Sequence, residues 1–148
     1  MEVYPYMKET FSLFEKINMA LLEEYHSLLE FDLTPKQYAI VELVYHEKKI
    51  TINEIANKLS LSSSSVSQLI NKLEKEAYVK REINPNHRRE IFVKLERKGH
   101  ELFKAYEQVD RQVIKKYYSK LTFEEVVQFR DIAKKLYGII AEDKNLKR

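Results

Sequence analysis

The chain has 148 residues, of which 44% are hydrophobic, enough for one domain with an ordinary core. It contains no cysteine, which excludes disulfides, thiolate metal sites and a catalytic thiol. The opening residues lack a signal-peptide core, and the apolar runs are far shorter than the about 20 residues that span a bilayer. We therefore expect a cytoplasmic protein with no membrane partner.

The charge changes sign along the chain. Residues 1–50 hold five Lys or Arg against nine Asp or Glu, whereas residues 51–100 hold ten against six. This asymmetry favours a polyanionic partner for the middle segment, although a mixed-charge surface facing solvent gives the same counts.

Helical spacing of apolar residues predicts one long amphipathic helix over about 6–30. Thr34 is a candidate N-cap, and Pro35 at the first helical position predicts a second helix that ends near His46.

Thr51 with Glu54 is a capping-box pattern and predicts a third, short helix over 52–58. Beyond a tight turn, a fourth helix is predicted to end near Ala77. It carries one apolar stripe at helical spacing, made of Val66, Leu69, Ile70 and Leu73.

The period then changes to two, which predicts a hairpin from strands over 79–83 and 91–95 around a turn that contains Pro85. Helical spacing returns over 96–121, and Thr122 with Glu125 caps a final helix.

Two short helices joined by a tight turn and followed by a basic hairpin predict a winged helix-turn-helix. The fourth helix is uncharged from Ser60 to Asn71, as a surface that reads bases tends to be. Gln68 and Asn71 can pair with adenine, and Lys72 can reach guanine or phosphate. The alternative is that the serine run is only a helix cap and the polar face an ordinary solvated surface.

At the hairpin tip, Arg88 and Arg89 suit phosphate contact or insertion into a narrow minor groove. The alternative is a pair of solvent-exposed arginines that only aid solubility. His87 beside phosphate would gain from protonation, so DNA binding is hypothesised to strengthen as pH falls through about 6.5. The alternative is that His87 is an exposed turn histidine with no such role.

Four segments in this order resemble the MarR family of bacterial and archaeal regulators: 33–38 (LTPKQY), 52–59 (INEIANKL), 62–74 (SSSSVSQLINKLE) and 84–89 (NPNHRR). The resemblance implies a dimer whose first, fifth and sixth helices interleave and hold two lobes over successive major grooves of a pseudopalindrome. It also implies that a small ligand between lobe and dimer helices loosens DNA binding. The implied DNA contacts are Ser62, Ser63, Ser64, Ser65, Ser67, Gln68, Asn71, Lys72, His87, Arg88 and Arg89.

The sequence departs from the family pattern at three places. His87 stands where an Asp usually orients the groove-reaching arginine, Ala77 replaces the Gly that closes the recognition helix, and Glu96 replaces a Thr. Glu90 is the candidate replacement partner for an arginine.

The predicted fold class is mainly α with a small β-hairpin wing. We expect a single MarR-type domain over 1–148, with a winged helix-turn-helix lobe at 34–95 and helical dimerisation regions at 1–31 and 96–148. The first and last helices are apolar on more than one narrow stripe, so a second copy is the simplest cover. Its twofold predicts half-sites about 10 base pairs apart.

The predicted function is a homodimeric, sequence-specific DNA-binding regulator, a repressor whose affinity is modulated by a small ligand. The alternative is a winged-helix protein-interaction module without specific DNA binding. An aromatic crevice for the ligand is predicted from Tyr25, Tyr38, Tyr45 and Phe103, although core packing explains these residues equally well.

An enzyme is not expected, and neither is a cofactor or a metal site. The strings that begin at His46 and His100 resemble HExxH, but Ile50 and Lys104 occupy the place of the second histidine. Two glycines do not build a phosphate-cradling loop.

Overall fold

The computed structural model describes residues 1–144, and over that range the chain is largely helical with one small antiparallel sheet. In chain order its main elements are α1 (Tyr4–Leu21), α2 (Pro35–Glu47), β1 (Ile50–Thr51), α3 (Ile52–Leu59), α4 (Ser63–Lys75), β2 (Val79–Ile83), β3 (Ile91–Leu95), α5 (Arg97–Lys116) and α6 (Phe123–Asp143). Short 3-10 helices follow α1 at Leu22–Phe31 and α5 at Tyr118–Lys120. The predicted fold class is confirmed.

Capping boxes set the starts of several helices. Before α3, the Thr51 hydroxyl accepts a hydrogen bond from the Glu54 N–H at 3.1 Å, and the Glu54 carboxylate accepts one from the Thr51 N–H at 3.0 Å. Each box satisfies backbone N–H groups that the first turn of a helix leaves without partners. The same reciprocal arrangement precedes α2 and α6, from the pairs Thr34–Gln37 and Thr122–Glu125.

The prediction of one continuous helix over about 6–30 is wrong in its second half. Helix α1 ends at Leu21, and the chain continues as a 3-10 helix to Phe31, where Asp32 takes a left-handed conformation with φ of 42°. Residues three apart share a side in both helix types, so apolar spacing alone does not distinguish them.

The sheet has the order β1–β3–β2, which makes β2 an edge strand. Strands β2 and β3 pair as the alternating pattern predicts, with Val79 opposite Leu95 and Ile83 opposite Ile91. Strand β1 pairs with the other side of β3, and its two residues are too few for alternation to reveal it from sequence.

The core of the lobe lies between α2, α3, α4 and the sheet. On α4, Val66, Ile70 and Leu73 have no exposed surface and Leu69 is half-buried, which confirms the predicted stripe. Burying a large apolar side chain typically contributes about 1.5–3 kcal/mol, so this stripe fixes which face of α4 points outward. The other core residues without exposed surface are Ile40, Val41, Val44, Ile55, Tyr78, Val79 and Val93.

Gly99, in the first turn of α5, allows a close approach of that helix to the chain before β2. A Cβ at this position would lie 2.3 Å from the Tyr78 carbonyl oxygen and 2.9 Å from Leu95 Cδ2. The Glu96 and Lys98 N–H groups donate to the carbonyls of Tyr78 and Ala77, each at 2.9 Å. The start of α5 is thereby fixed to the end of the helix-turn-helix.

The chain divides into two compact units, the first over residues 1–108 and the second beginning at Val109. Helix α1 belongs to the first unit and has no buried residue, whereas α6 belongs to the second, and Ala141 is its one buried residue. No helix within residues 1–144 is both long and apolar enough to cross a membrane.

Candidate nucleic-acid interface

Helix α4 presents a polar face to solvent opposite its buried stripe. Ser64, Gln68, Asn71 and Lys72 are exposed on this face, and Ser67 is half-buried. These side chains offer hydrogen-bond donors and acceptors, and the first acidic residue on the helix is Glu74. The face therefore offers groups that can form hydrogen bonds with base edges, and it carries no acidic side chain before Glu74 that would repel phosphate.

The serines at the start of α4 divide into two groups. Ser62 is the N-cap: its hydroxyl accepts from the Ser65 N–H at 3.1 Å and donates to the Ser65 hydroxyl at 2.8 Å. The Ser63 hydroxyl donates to Asn53 Oδ1 at 2.8 Å and so joins α4 to α3. Among the described residues, Ser64 and Ser67 form no side-chain hydrogen bond within the chain. Part of the serine run therefore has the helix-capping role that stood as the alternative to DNA contact.

A shallow groove of about 230 Å³ lies between the start of α2 and the outer face of α4. Lys36, the second residue of α2, is exposed on one side of it. Lys36 could not be predicted from the sequence, because only the packing of α2 beside α4 places this lysine next to the polar face of α4. The groove is lined by Lys36, Leu61, Ser65, Gln68, Leu69 and Lys72.

We call the hairpin of β2 and β3 the wing. Its tip is closed by Asn84 and Glu90. The Asn84 amide donates to Glu90 Oε2 at 2.8 Å, and Asn84 Oδ1 accepts from the Asn86 N–H at 3.0 Å. The hypothesis that Glu90 pairs with an arginine is wrong, because within residues 1–144 its carboxylate forms no ion pair and accepts from the Asn84 amide instead.

The basic side chains of the wing tip are exposed. Within residues 1–144, the side chains of His87, Arg88 and Arg89 form no hydrogen bond or ion pair. Their guanidinium and imidazole groups are available to an anion outside the chain.

The wing is attached to α4 through Arg81, the middle residue of β2. Its main-chain N–H donates to Glu74 Oε2 at 2.9 Å, and its guanidinium Nη2 donates to the Ser67 carbonyl at 3.2 Å. The guanidinium also lies 3.7 Å from the Glu74 carboxylate. The sequence gives Arg81 as one basic residue among ten in the middle segment, and only the fold shows its partners.

Ion pairs reduce the net charge on the strands of the wing. Lys94 Nζ lies 2.5 Å from Glu82 Oε2, and this hydrogen bond lowers the pKa of the Glu82 carboxyl below its ordinary value. Lys80 lies 3.8 Å from Glu96. Positive charge is therefore concentrated at the wing tip.

The predicted aromatic crevice is only partly assembled. Tyr25 and Tyr38 line a cavity of about 600 Å³ in the first unit, together with Tyr106. Tyr45 and Phe103 are not among its lining residues and stack on each other with ring centroids 4.0 Å apart. The lining also includes Leu22, His26, Leu28, Leu29, Phe31, Asp32, Leu33, Pro35 and Leu102.

Tyr78 links the wall of this cavity to the end of α4. It is fully buried, and its hydroxyl donates to the Phe31 carbonyl. Burial raises the pKa of Tyr78 above its ordinary value, against the lowering effect of the Lys98 ammonium. A tyrosine directly after a predicted helix gives no sequence signal for this role.

Comparison with known proteins identifies the family. A model described as MarR family matches residues 31–90. The uncharacterised HTH-type transcriptional regulator YwhA of Bacillus subtilis is 30% identical over 97 residues, which are 66% of this chain and 70% of YwhA. The chain belongs to the MarR family of transcriptional regulators.

Matches to other HTH-type regulators cover different shares of the chain. The HTH-type transcriptional regulator MhqR of Bacillus subtilis is 33% identical, but the match spans only 45% of this chain and 46% of MhqR. The HTH-type transcriptional repressor MdtR of the same organism is 28% identical over 93% of this chain and 88% of its own.

Two solved structures share the MarR fold. The transcriptional regulator Tm0710 from Thermotoga maritima is 27% identical and superimposes with a TM-score of 0.67, over 95% of this chain and 99% of Tm0710. Streptococcus pneumoniae FabT, solved in complex with DNA, is similar in fold, with a TM-score of 0.71 at 19% identity over 96% and 99% of the two chains.

Proposed function

We propose that this MarR-family regulator binds double-stranded DNA sequence-specifically by placing α4 in the major groove. The observation that carries the proposal is the outer face of α4, where exposed amides, a hydroxyl and a lysine lie opposite the stripe in which Val66, Ile70 and Leu73 are fully buried. A helix anchored in this way keeps its polar face in one orientation, as base reading requires. The fold likeness to FabT, solved with DNA, supports the proposal.

The α4 residues divide the task by chemistry. Gln68 and Asn71 carry amides that pair bidentately with adenine, and Lys72 reaches guanine or phosphate. Ser64 and Ser67 are small enough to let the helix approach the bases closely. Ser62, Ser63 and Ser65 hold the start of the helix in place, where backbone N–H groups attract a phosphate.

The wing supplies the second contact. Arg88 and Arg89 suit phosphates or a narrow minor groove, and His87 lies beside them at the same exposed tip. Lys36 adds a phosphate contact on the opposite side of α4, next to Lys72.

Enrichment of bound sequences from a random duplex pool tests the proposal. We expect a pseudopalindrome with half-sites about 10 base pairs apart. Affinity for the recovered duplex should fall steeply with salt, with a log-log slope of about −0.9 for each phosphate contacted. No enriched sequence and a flat salt profile would instead support the protein-interaction module.

The DNA-binding form is proposed to be a homodimer. On α1, Phe11 and Met19 expose 59% and 69% of their surface, and on α6, Ile132 and Tyr137 expose 67% and 58%. Apolar exposure of this extent along two helices is costly in water, and a second copy provides a symmetric cover. Residues 34–95 would then read DNA, while 1–31 and 96–148 would assemble the dimer.

A small ligand is proposed to control DNA affinity from the 600 Å³ cavity of the first unit. Its tyrosine rings and apolar walls suit an aromatic molecule, and the hydroxyls, His26 and Asp32 offer polar partners. We expect a ligand found by thermal-shift screening of aromatic acids and phenols to lower affinity for the recovered duplex. Its effect should disappear in Tyr38→Ala if the cavity is the site.

Repression is the proposed outcome of binding, in line with the name repressor carried by MdtR, a relative over nearly the whole chain. Transcription in vitro from a promoter that carries the recovered site should fall when the protein is added. A rise in transcript would instead indicate an activator.

A further inference from the structure

We propose that Arg81 sets the orientation of the wing relative to α4. In this view Arg81 is a positioning residue that fixes the hairpin against α4, so that the wing arginines and the α4 side chains reach one duplex together. The inference rests on the proposed DNA-binding function and specifies how its two contacts are coupled.

The first attachment involves the backbone of the edge strand. Strand β2 pairs with β3 on one side only, so its other side presents main-chain groups that need partners. The outward N–H of Arg81 donates to Glu74 Oε2 at 2.9 Å. Glu74 lies in the last turn of α4, and its carboxylate thus holds the middle of the wing strand to the helix that would read bases.

The second attachment runs from the guanidinium into the middle of α4. Nη2 donates to the Ser67 carbonyl at 3.2 Å, while Nη1 lies 3.7 Å from the Glu74 carboxylate. The peptide group that accepts this bond directly precedes Gln68. The Arg81 side chain is 25% exposed, so solvent screens its bonds less than those of a fully exposed pair.

Among the described residues, no side chain at the wing tip attaches the hairpin to α4. The side chains of His87, Arg88 and Arg89 have no partner within residues 1–144, and the Asn84–Glu90 bond closes the turn without touching α4. The direction of the arginines therefore depends on the angle of the hairpin at Arg81, where it is attached to α4.

The geometry makes that angle consequential. Three residues lead from Arg81 to Asn84 at the tip, a span of about 10 Å. A change of about 15° at Arg81 therefore moves the tip by about 3 Å, which is the length of a hydrogen bond. Loss of the Arg81 attachments would uncouple the wing from α4 while both remain folded.

A double-mutant cycle on the full-length chain tests this inference. One arm removes the tip charges with Arg88→Ala plus Arg89→Ala, and the other removes the guanidinium with Arg81→Gln. Lys80→Gln is the matched control, because it removes the same charge from the preceding residue of the strand, whose partner is Glu96 and not a residue of α4. Affinity and salt slope are measured on the recovered duplex, at a temperature where circular dichroism shows every variant folded.

We expect loss of the tip arginines to lower affinity about tenfold and to flatten the salt slope in the wild-type and Lys80→Gln backgrounds. In the Arg81→Gln background, loss of the tip arginines should lower affinity less than about threefold, because the tip is no longer held in one orientation. Arg81→Lys, which keeps the charge but not the forked geometry, should lie between the two. If Arg81→Gln does not fold, the cycle is run with Arg81→Lys and the same ordering is expected.

Equal losses in all backgrounds would overturn the positioning role and leave Arg81 as a structural residue. If the wild-type chain enriches no duplex at all, the proposed function itself fails. The two failures are therefore distinguishable.

Discussion

At the residue scale, Ala77 stores backbone strain at the end of α4. Its φ is 61°, in the left-handed region, which costs an L-residue about 1–2 kcal/mol. The turn is held by hydrogen bonds from the Ala77 N–H to the Glu74 carbonyl at 3.1 Å and from the Tyr78 N–H to the Leu73 carbonyl at 2.9 Å. Glycine takes this conformation without the penalty, so the departure from the family pattern at this position has a thermodynamic cost.

Ala77→Gly should therefore raise the free energy of unfolding by about 0.5–1 kcal/mol, since the strain relieved exceeds the entropy that glycine adds to the unfolded chain. Urea denaturation measures the change. Ala105→Gly, inside α5, is the control and should lower stability by about 1 kcal/mol. Destabilisation by both substitutions would contradict the assignment of strain to Ala77.

Tyr78→Phe should lower the free energy of unfolding by about 1–3 kcal/mol, because the Phe31 carbonyl loses its hydrogen-bond donor. Tyr137→Phe, at an exposed tyrosine of α6, should change it little.

The Tyr78 contribution should also depend on pH. Its pKa is raised in the folded chain, so below pH of about 10 both states keep the proton and the contribution is complete. As pH rises above that value, the unfolded state loses its proton first and the contribution declines. The stability difference between wild type and Tyr78→Phe should shrink between pH 8 and strongly alkaline buffer. A constant difference would refute this account.

At the element scale, the outer face of α4 should separate base reading from phosphate contact. Gln68→Ala should lower affinity for the recovered duplex by about 5- to 100-fold and leave affinity for random duplex nearly unchanged. Lys72→Ala should weaken both and reduce the salt slope by about 0.9 if its partner is a phosphate. Equal effects of Gln68→Ala on both duplexes would show that Gln68 reads no base.

The elements whose signals are local in sequence were predictable. Capping boxes placed the starts of α3 and α6, and the change of period placed the wing strands. The 3-10 helix at Leu22–Phe31 was not, because its apolar spacing imitates an α-helix.

The roles of residues whose partners are distant in the chain also could not be predicted from the sequence. Tyr78 bonds to a residue 47 positions away and Arg81 to one 14 positions away. Lys36 reaches α4 only through packing. The candidate DNA contacts on α4 could be predicted because one buried stripe determines its outer face, whereas the residues that position them could not.

At the scale of the whole molecule, the exposed apolar faces of α1 and α6 predict the assembly state. Ile132→Glu places a charge on a side chain that is 67% exposed in the single chain but buried in the proposed dimer. We expect this variant to sediment as a monomer and to lose the affinity gained from binding two half-sites at once. Lys134→Glu, a charge reversal at a polar position two residues away, is the control. Dimers of unchanged stability in Ile132→Glu would exclude this face of α6 from the interface.

The cavity of the first unit has an optical consequence. The sequence has ten tyrosines and no tryptophan, so the chain's ultraviolet emission comes from phenol rings with no indole to capture their excitation. Tyr25 and Tyr38 have ring centroids 6.2 and 5.7 Å from that of Tyr106, all three on the cavity wall. A molecule that enters among them should alter the fluorescence directly. The natural side chains thus serve as a label-free reporter of cavity occupancy.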